Sequence, residues 1–201
     1  MALRTLYLVR HAEYDHADPR SPFVGKGLKR LGRKQARLTA ARLARSGVRF
    51  ARCYTSTFLR AVQTAEILAA GIPGLRVRRV FDLHESAGPT EISLARTART
   101  GLSRKEIEWR KASQRQIRRV YEMFFRAPGR GVRTEILVTH GNLIRCLVNK
   151  VLGIPLDQWA VMGTHNCGIT VVEVRSSKRP VLVTYNDTGH LPASLLTVPA
   201  A

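Results

Sequence analysis

The sequence contains few acidic residues, few aromatic residues and no long hydrophobic run. Asp and Glu together number 14 against 34 Lys and Arg, which gives a formal net charge of +20 with histidine taken as neutral. Such a charge attracts nucleic acid, acidic membranes and phosphorylated molecules, and it does not choose among them. Aromatic residues make up only 6% of the chain, and no RNP, zinc-finger or similar motif accompanies the basic residues. A nucleic-acid partner is therefore not expected.

Cysteine is also scarce, and its spacing excludes two kinds of site. The three cysteines, Cys53, Cys146 and Cys167, are odd in number and far apart. This pattern fits neither a disulfide framework nor a CxxC metal site. We expect three ordinary buried thiols.

The apolar runs are far shorter than the roughly 20 residues that cross a bilayer. The longest include residues 135–139 and 168–174, so no transmembrane helix is expected. At the N-terminus, the apolar residues lead into Arg10 and His11 without a small-residue cleavage site, which does not fit a signal peptide. We therefore predict a cytoplasmic protein.

Strands and helices alternate along the chain. Hydrophobic residues make up 44% of the sequence and no linker interrupts it, so residues 1–201 are predicted to form a single domain. Predicted strands occupy residues 6–9, 51–54, 75–81, 135–138, 168–174 and 180–185, and predicted helices occupy residues 27–46, 58–70, 104–126 and 142–152. This alternation predicts an α/β fold, a three-layer sandwich with a mostly parallel sheet, helices on both faces and an antiparallel edge strand.

Two segments of this pattern carry an unusual number of basic residues. The first predicted helix places Leu28, Leu31, Gln35 and Leu38 on one side, and its basic residues on the other side are interpreted as solvated surface. Residues 86–133 insert a loop and a helix between two strands. We interpret 86–133 as a lid-like segment whose cations attract a polyanionic or phosphoprotein substrate.

Two further segments share one construction, a short apolar strand that ends in histidine. Residues 6–9 lead to Arg10 and His11, and residues 136–139 lead to His140 and Gly141. Ligands of open α/β sheets bind beyond the carboxyl ends of the strands, so both imidazoles are expected over one crevice. The helix that follows His140 offers N-terminal amides, which favour an anion.

A third strand-to-helix junction carries Ser56 and Arg60. An arginine on the first helical turn can face the same crevice. Arg10 and Arg60 would hold phosphoryl oxygens through charge-assisted, bidentate hydrogen bonds, which suit arginine better than lysine. Ser56 either assists phosphate binding or caps the helix.

Several short motifs follow one another in order along nearly the whole chain. They are Arg10-His11, Leu31-Gly32-x-x-Gln35-Ala36, Ser56-x-x-x-Arg60-Ala61-x-x-Thr64-Ala65, Glu85, His140-Gly141 and Asn186-Asp187-Thr188-Gly189-His190-Leu191. In this order and spacing they resemble the signature of the histidine phosphatase superfamily, in its phosphoglycerate-mutase-like branch. Within that branch the arrangement is most similar to small phosphatases, including a mitochondrial phosphoprotein phosphatase.

The resemblance implies a phosphatase that works through a phosphohistidine. His11 is the implied nucleophile, and a neutral imidazole is competent for this role near pH 7. Arg10, Arg60 and His140 are implied to surround the phosphoryl oxygens. Glu85 is implied to protonate the leaving oxygen and then to deprotonate water. No metal or other cofactor is required, and the implied substrates are phosphoproteins or small anionic phosphoesters.

The sequence departs from the family pattern next to the nucleophile. Ala12 stands where the family usually has glycine, and residues 13–16 lack the side chains typical of true mutases. The RHGxRxP pattern of the acid phosphatase branch is also absent. These departures count against mutase activity and against acid-phosphatase specificity.

Alternative roles for several single residues stay open. Glu13, Asp82 and Glu91 compete with Glu85 for the role of proton donor. Three further histidines, His84, His165 and His190, show no metal-ligand pattern and are interpreted as structural.

Two other functions also stay open. One is a phosphomutase of the phosphoglycerate mutase type. The other is a non-catalytic protein that binds polyanions through its positive surface. The sequence does not indicate an oligomeric state.

Overall fold

The computed structural model describes residues 2–17, 26–86, 103–176 and 178–197. Within them the strands are β1 (Leu3–Arg10), β2 (Arg52–Thr55), β3 (Val77–Arg79), β4 (Val132–Thr139), β5 (Ile169–Arg175) and β6 (Val181–Asp187). The α-helices are α1 (Arg30–Arg45), α2 (Leu59–Gly71), α3 (Arg104–Phe124) and α4 (Gly141–Leu152). Short 3-10 helices occupy Phe81–Leu83, Leu156–Val161 and Ala193–Leu195.

The six strands form one sheet in the order β3-β2-β4-β1-β5-β6. Strands β1 and β4, β2 and β4, and β2 and β3 pair in parallel, whereas β5 pairs antiparallel with both β1 and β6. The predicted α/β fold and its antiparallel edge are confirmed. Because β1 to β4 run in the same direction, their carboxyl ends meet at one edge of the sheet.

Helices cover both faces of the sheet, and each face has its own hydrophobic core. Successive side chains of β1 point to opposite faces, so Leu6 and Leu8 join one core and Val9 joins the other. The first core packs against α3 and α4, and the second packs against α1 and α2. This arrangement confirms the predicted three-layer sandwich.

Helix α1 differs from its prediction at its start, and its buried side contains more small residues than predicted. Leu28 precedes the helix and forms an isolated bridge with Tyr14, and the helix begins at Arg30. Leu31 and Leu38 are only partly buried. The buried positions are mostly small or polar, namely Gly32, Gln35, Ala36, Thr39, Ala40 and Leu43. Leu28 is buried in a small cluster with Ala36, and Leu38 packs against that cluster. The basic residues on the other side are exposed, so the predicted sides are confirmed, and the buried side extends to small residues that the leucine pattern does not show.

Two other predicted elements also change their bounds. The predicted strand 75–81 shortens to β3, and Phe81 begins a 3-10 turn. Strand β4 is longer than predicted, at eight residues.

The segment 86–133 is only partly described. Its helix α3 buries Ile117, Val120 and Phe124 in the first core, which ties this part of the segment to the sandwich. Residues 87–102 lie outside the described residues. The interpretation of 1–201 as one domain with 86–133 as a lid-like segment stays a prediction.

Candidate active site

The predicted site residues all follow the carboxyl ends of parallel strands. Arg10 ends β1 and His11 follows it directly. Arg60 lies in the first turn of α2, after β2, and Glu85 follows the 3-10 turn after β3. His140 stands between β4 and α4. The parallel order of the strands thus brings together residues that are far apart in the sequence.

The His11 imidazole is buried, with 1% of the residue exposed, and both of its nitrogens are engaged. Nδ1 lies 2.8 Å from the carbonyl oxygen of Ala12. A carbonyl oxygen can only accept, so Nδ1 carries the proton and Nε2 presents its lone pair. Arg60 Nε donates a hydrogen bond to Nε2 over 3.2 Å. Burial, and then the charges of Arg60 and Arg10, hold the pKa of His11 well below 6.5, so the imidazole is neutral.

His140 lies beside His11, with 5.0 Å between the ring centroids. Its Nε2 is 2.9 Å from Ser56 Oγ, which also accepts the amide hydrogen of Phe58 over 3.2 Å. Burial holds the pKa of His140 well below its usual value, and the neighbouring His11 and Arg60 add to the effect. Ser56 therefore supports both the start of α2 and the second imidazole.

The Arg10 guanidinium lies against the N-terminus of α4. Its Nη1 donates to the carbonyl oxygen of Thr164. A Cβ atom at Gly141 would lie only 3.1 Å from Arg10 Cζ, so glycine at this position makes room for the guanidinium. Burial lowers the pKa of Arg10 to about 10, and the group stays cationic at neutral pH.

Two aromatic rings hold the Arg60 guanidinium. Its Cζ lies 4.7 Å from the centroid of Tyr14 and 4.9 Å from the centroid of Phe58. Contacts of this kind are favourable cation–π interactions. Phe58 and Tyr14 also pack edge-on against His140 and His11, respectively. Neither aromatic residue was predicted as part of the site, because its only signal in the sequence is a position beside a site motif.

Glu85 is partly buried at the N-terminus of α4. Its Oε1 accepts the amide hydrogens of Asn142 and Ser86, each over 3.2 Å. Burial raises the pKa of Glu85, while the charges of Arg10 and Arg60 oppose this rise. The Glu85 carboxyl group therefore lies close enough to both guanidinium groups for their charges to act on its pKa.

The other carboxylates considered for the acid role are engaged elsewhere or not described. Glu13 pairs with His16 over 3.1 Å, and Asp82 pairs with Arg119 over 2.7 Å. Glu91 lies outside the described residues. Glu85 remains the predicted proton donor.

The side chains of His84, His165 and His190 form their hydrogen bonds to residues outside this cluster, although the His84 ring centroid lies 6.1 Å from that of Phe58. One ring nitrogen of each of His84, His165 and His190 is hydrogen-bonded, to the carbonyl oxygen of Phe81, to Asn186 Nδ2 and to Thr39 Oγ1, respectively. Within the described ranges, no group of three His, Cys, Asp or Glu residues could hold a metal ion. The three cysteines are free and buried, as predicted, and burial raises the pKa of each to about 12.

A family model described as "Histidine phosphatase superfamily (branch 1)" matches residues 6–188. The chain belongs to this superfamily. It is a phosphatase, and members of the superfamily work through a phosphohistidine, as the resemblance of the sequence implied.

Curated relatives include the serine/threonine-protein phosphatase PGAM5, mitochondrial, of Mus musculus and of Homo sapiens. The mouse protein is 31% identical over 98% of this chain and 67% of its own length. The human protein is 30% identical over 98% of this chain and 66% of its own length. The chain thus spans about two thirds of the length of these relatives.

Solved structures show the same fold. Phosphoglycerate mutase from Plasmodium falciparum has a TM-score of 0.65 and 23% identity, with 96% of each chain covered. Bacillus stearothermophilus YhfR has a TM-score of 0.66 and 22% identity, with 93% of this chain and 98% of that chain covered. At such identities the likeness concerns the fold alone.

Two findings bear on the predicted location. In the described part of the chain, no helix has the length and apolar character needed to cross a membrane. The PGAM5 relatives are named as mitochondrial proteins. The cytoplasmic location stays a prediction.

Proposed function

We propose that this phosphatase hydrolyses phosphomonoesters, among them phosphoserine and phosphothreonine in proteins, by two displacements at His11 Nε2. One observation carries the assignment of the nucleophile. The neutral His11 ring presents its Nε2 lone pair to the Nε of Arg60 at 3.2 Å, in a cluster that also holds His140 and Arg10.

Binding of a phosphoryl group requires cationic donors, and the cluster supplies them. The Arg60 Nε–H that now faces His11 Nε2 turns to a phosphoryl oxygen, which frees the lone pair. Arg10 binds a second oxygen at the N-terminus of α4, where the helix dipole also favours negative charge. Preorganised donors of this kind lower a barrier by about 3 kcal/mol each.

The first displacement forms a bond between Nε2 and phosphorus and breaks the ester P–O bond. Glu85 transfers its proton to the leaving oxygen, which departs as an alcohol. In the second displacement, the Glu85 carboxylate takes a proton from water as the water oxygen attacks phosphorus. Inorganic phosphate leaves, and the electron pair of the P–N bond returns to Nε2. The guanidinium groups supply the positive charge for both steps, so we propose that no metal ion is needed.

Two observations support a phosphoprotein substrate. The relatives at about 30% identity are named serine/threonine-protein phosphatases, and the match extends over 98% of this chain. The net charge of +20 favours encounters with acidic and phosphorylated polypeptides.

The proposal is tested with a phosphoserine peptide that carries labelled phosphate, in the presence of a chelator. Rapid quenching should trap acid-labile, base-stable label on the wild-type protein, with inorganic phosphate as the product. His11→Ala should lose the label and at least about 10³-fold in kcat. His165→Ala serves as a matched control outside the cluster and should keep both.

Three results would overturn the proposal. Activity that survives in folded His11→Ala would remove the nucleophile. Transfer of the label to a second position of the product would instead indicate a phosphomutase. A folded protein that turns over no phosphoester but binds polyanions in a salt-sensitive way would be a binding protein.

A further inference from the structure

The peptide unit between His11 and Ala12 is held by side chains at both ends. The carbonyl oxygen of His11 accepts a hydrogen bond from Asn166 Nδ2 over 2.8 Å. The amide of Ala12 donates to Thr64 Oγ1 over 3.0 Å. A peptide unit is planar, so these two bonds fix its orientation directly beside the nucleophile.

The next peptide unit carries the group that orients the imidazole. Its carbonyl oxygen, that of Ala12, accepts a hydrogen bond from His11 Nδ1 over 2.8 Å. Its amide, that of Glu13, donates to Gln35 Oε1 over 2.9 Å. Rotation of this unit would move the acceptor of Nδ1 and, with it, the direction of the Nε2 lone pair. Gln35 therefore holds the imidazole through one intervening peptide unit.

The side chains of Gln35 and Asn166 both hydrogen-bond to one hydroxyl group, that of Thr197. Gln35 Nε2 donates to Thr197 Oγ1 over 2.9 Å and to the carbonyl oxygen of Leu195 over 2.7 Å, and Thr197 Oγ1 donates to Asn166 Oδ1 over 3.0 Å. Asn166 and Gln35 are buried, so an unpaired amide atom in this network would be costly. The hydroxyl uses both its donor and its acceptor capacity, and it joins both branches that lead to His11.

We infer that Thr197 is a positioning residue for catalysis, whose hydroxyl group aims His11 Nε2 at phosphorus by holding Gln35 and Asn166 in their present orientations. The inference rests on the proposed nucleophilic role of His11. Thr197 touches neither the substrate nor the reacting atoms. It acts through two amide side chains and two peptide units.

A pair of substitutions separates the hydroxyl group from the shape of the side chain. Thr197→Ser keeps the donor and the acceptor, whereas Thr197→Val keeps the shape and loses both. In Thr197→Val the side chains of Gln35 and Asn166 lose a shared hydrogen-bond partner, and His11 Nε2 loses its alignment with phosphorus. Misalignment of reacting atoms lowers the rate of the step. We expect Thr197→Val to form the phosphoenzyme about tenfold more slowly, with KM for the phosphoserine peptide changed less than about twofold. Thr197→Ser should stay within about twofold of the wild type in both quantities.

A second readout does not depend on turnover. Heteronuclear NMR of the histidine rings reports which nitrogen of His11 carries the proton. The wild type and Thr197→Ser should show His11 with its proton on Nδ1, and Thr197→Val should show a mixture of the two tautomers.

The outcomes distinguish this inference from the proposed function. If Thr197→Val matched Thr197→Ser in phosphoenzyme formation and in tautomer, the inference would be wrong. A lower Tm for Thr197→Val with an unchanged tautomer and equal effects on kcat and KM would mark a merely structural residue and would also overturn it. If the wild type formed no phosphoenzyme, the proposed function would fail, and the tautomer comparison would still decide whether Thr197 positions the ring.

Discussion

Burial leaves the two kinds of basic side chain in the active site in different charge states. It lowers the pKa of both histidines and of both site arginines. The ordinary pKa of arginine is so high that Arg10 is still protonated after its pKa falls to about 10. The ordinary pKa of histidine is near neutrality, so the same desolvation leaves His11 uncharged. The same desolvation thus leaves His11 neutral, as a nucleophile requires, and leaves Arg10 cationic, as anion binding requires.

The role of Glu85 depends on the leaving group, which gives a direct test. Glu85→Gln should lose about 10²-fold or more in kcat/KM, which reports phosphoenzyme formation, on a phosphoserine peptide, because an alkoxide leaving group needs a proton. The loss on p-nitrophenyl phosphate should be less than about tenfold, because p-nitrophenolate leaves readily without one. Steady-state kinetics on both substrates, with Glu13→Gln as the control, provide the measurement. Equal losses on the two substrates would contradict the assignment.

The pH dependence of the same step follows from the sign of the pKa shift. The pKa of Glu85 is raised, chiefly by burial, and the acid works only while it is protonated. Phosphoenzyme formation on the peptide should therefore be fast below this raised pKa and should fall as pH rises through it. Glu85→Gln should lack this decline.

The residues proposed to perform the chemistry were named from the sequence, whereas most of the residues that hold them in the structure were not. Arg10 and His140 follow short apolar strands, a position that the general rule for α/β sheets marks as functional. Asn166 and Thr197 have no such signal. Their importance comes from hydrogen bonds to residues more than a hundred positions away, and those bonds exist only after folding.

At the level of secondary structure, helix α1 supports the active site through its close approach to the nucleophile loop. A Cβ atom at Gly32 would lie 1.9 Å from the carbonyl oxygen of Glu13. The same carbonyl accepts the amide hydrogen of Lys29, just before the helix begins. Small residues on the buried side of α1 make this approach possible. The leucine pattern did not show these small residues, because periodicity reports apolar character and not the distance to a neighbouring backbone.

Gly32→Ala should therefore destabilise the protein, although alanine is the better helix former. The gain in helix propensity is about 1 kcal/mol, whereas a clash with backbone cannot be relieved by rotating a side chain. We expect a net loss of about 2 kcal/mol in the free energy of unfolding, together with reduced kcat. Chemical denaturation and peptide kinetics measure the two effects.

Gly129→Ala is the matched control for this substitution. A Cβ atom at position 129 would meet no atom within 4 Å, and its φ lies outside the left-handed region. Its free energy of unfolding should differ from that of the wild type by less than about 0.5 kcal/mol. A Gly32→Ala protein as stable and as active as this control would refute the close-contact argument.

At the level of the whole molecule, the excess of positive charge acts on encounter more than on chemistry. A net charge of +20 creates a long-range field that salt screens. Between about 0.05 M and 0.3 M salt, kcat/KM on an acidic phosphopeptide should fall roughly tenfold, and on p-nitrophenyl phosphate less than about threefold. Titration of both substrates with sodium chloride checks this, and equal slopes would show that the charge has no part in attracting the polypeptide.

The contact between Arg60 and His11 has a consequence for the enzyme at rest. With its lone pair occupied by a guanidinium, the imidazole is shielded from stray electrophiles, such as alkylating agents, that carry no negative oxygens. Only a ligand whose oxygen atoms bind Arg60 more strongly than His11 does can free the lone pair of His11 Nε2. Arg60 both blocks His11 Nε2 in the free enzyme and is proposed to bind the phosphoryl group. Access to the nucleophile is therefore coupled to substrate binding.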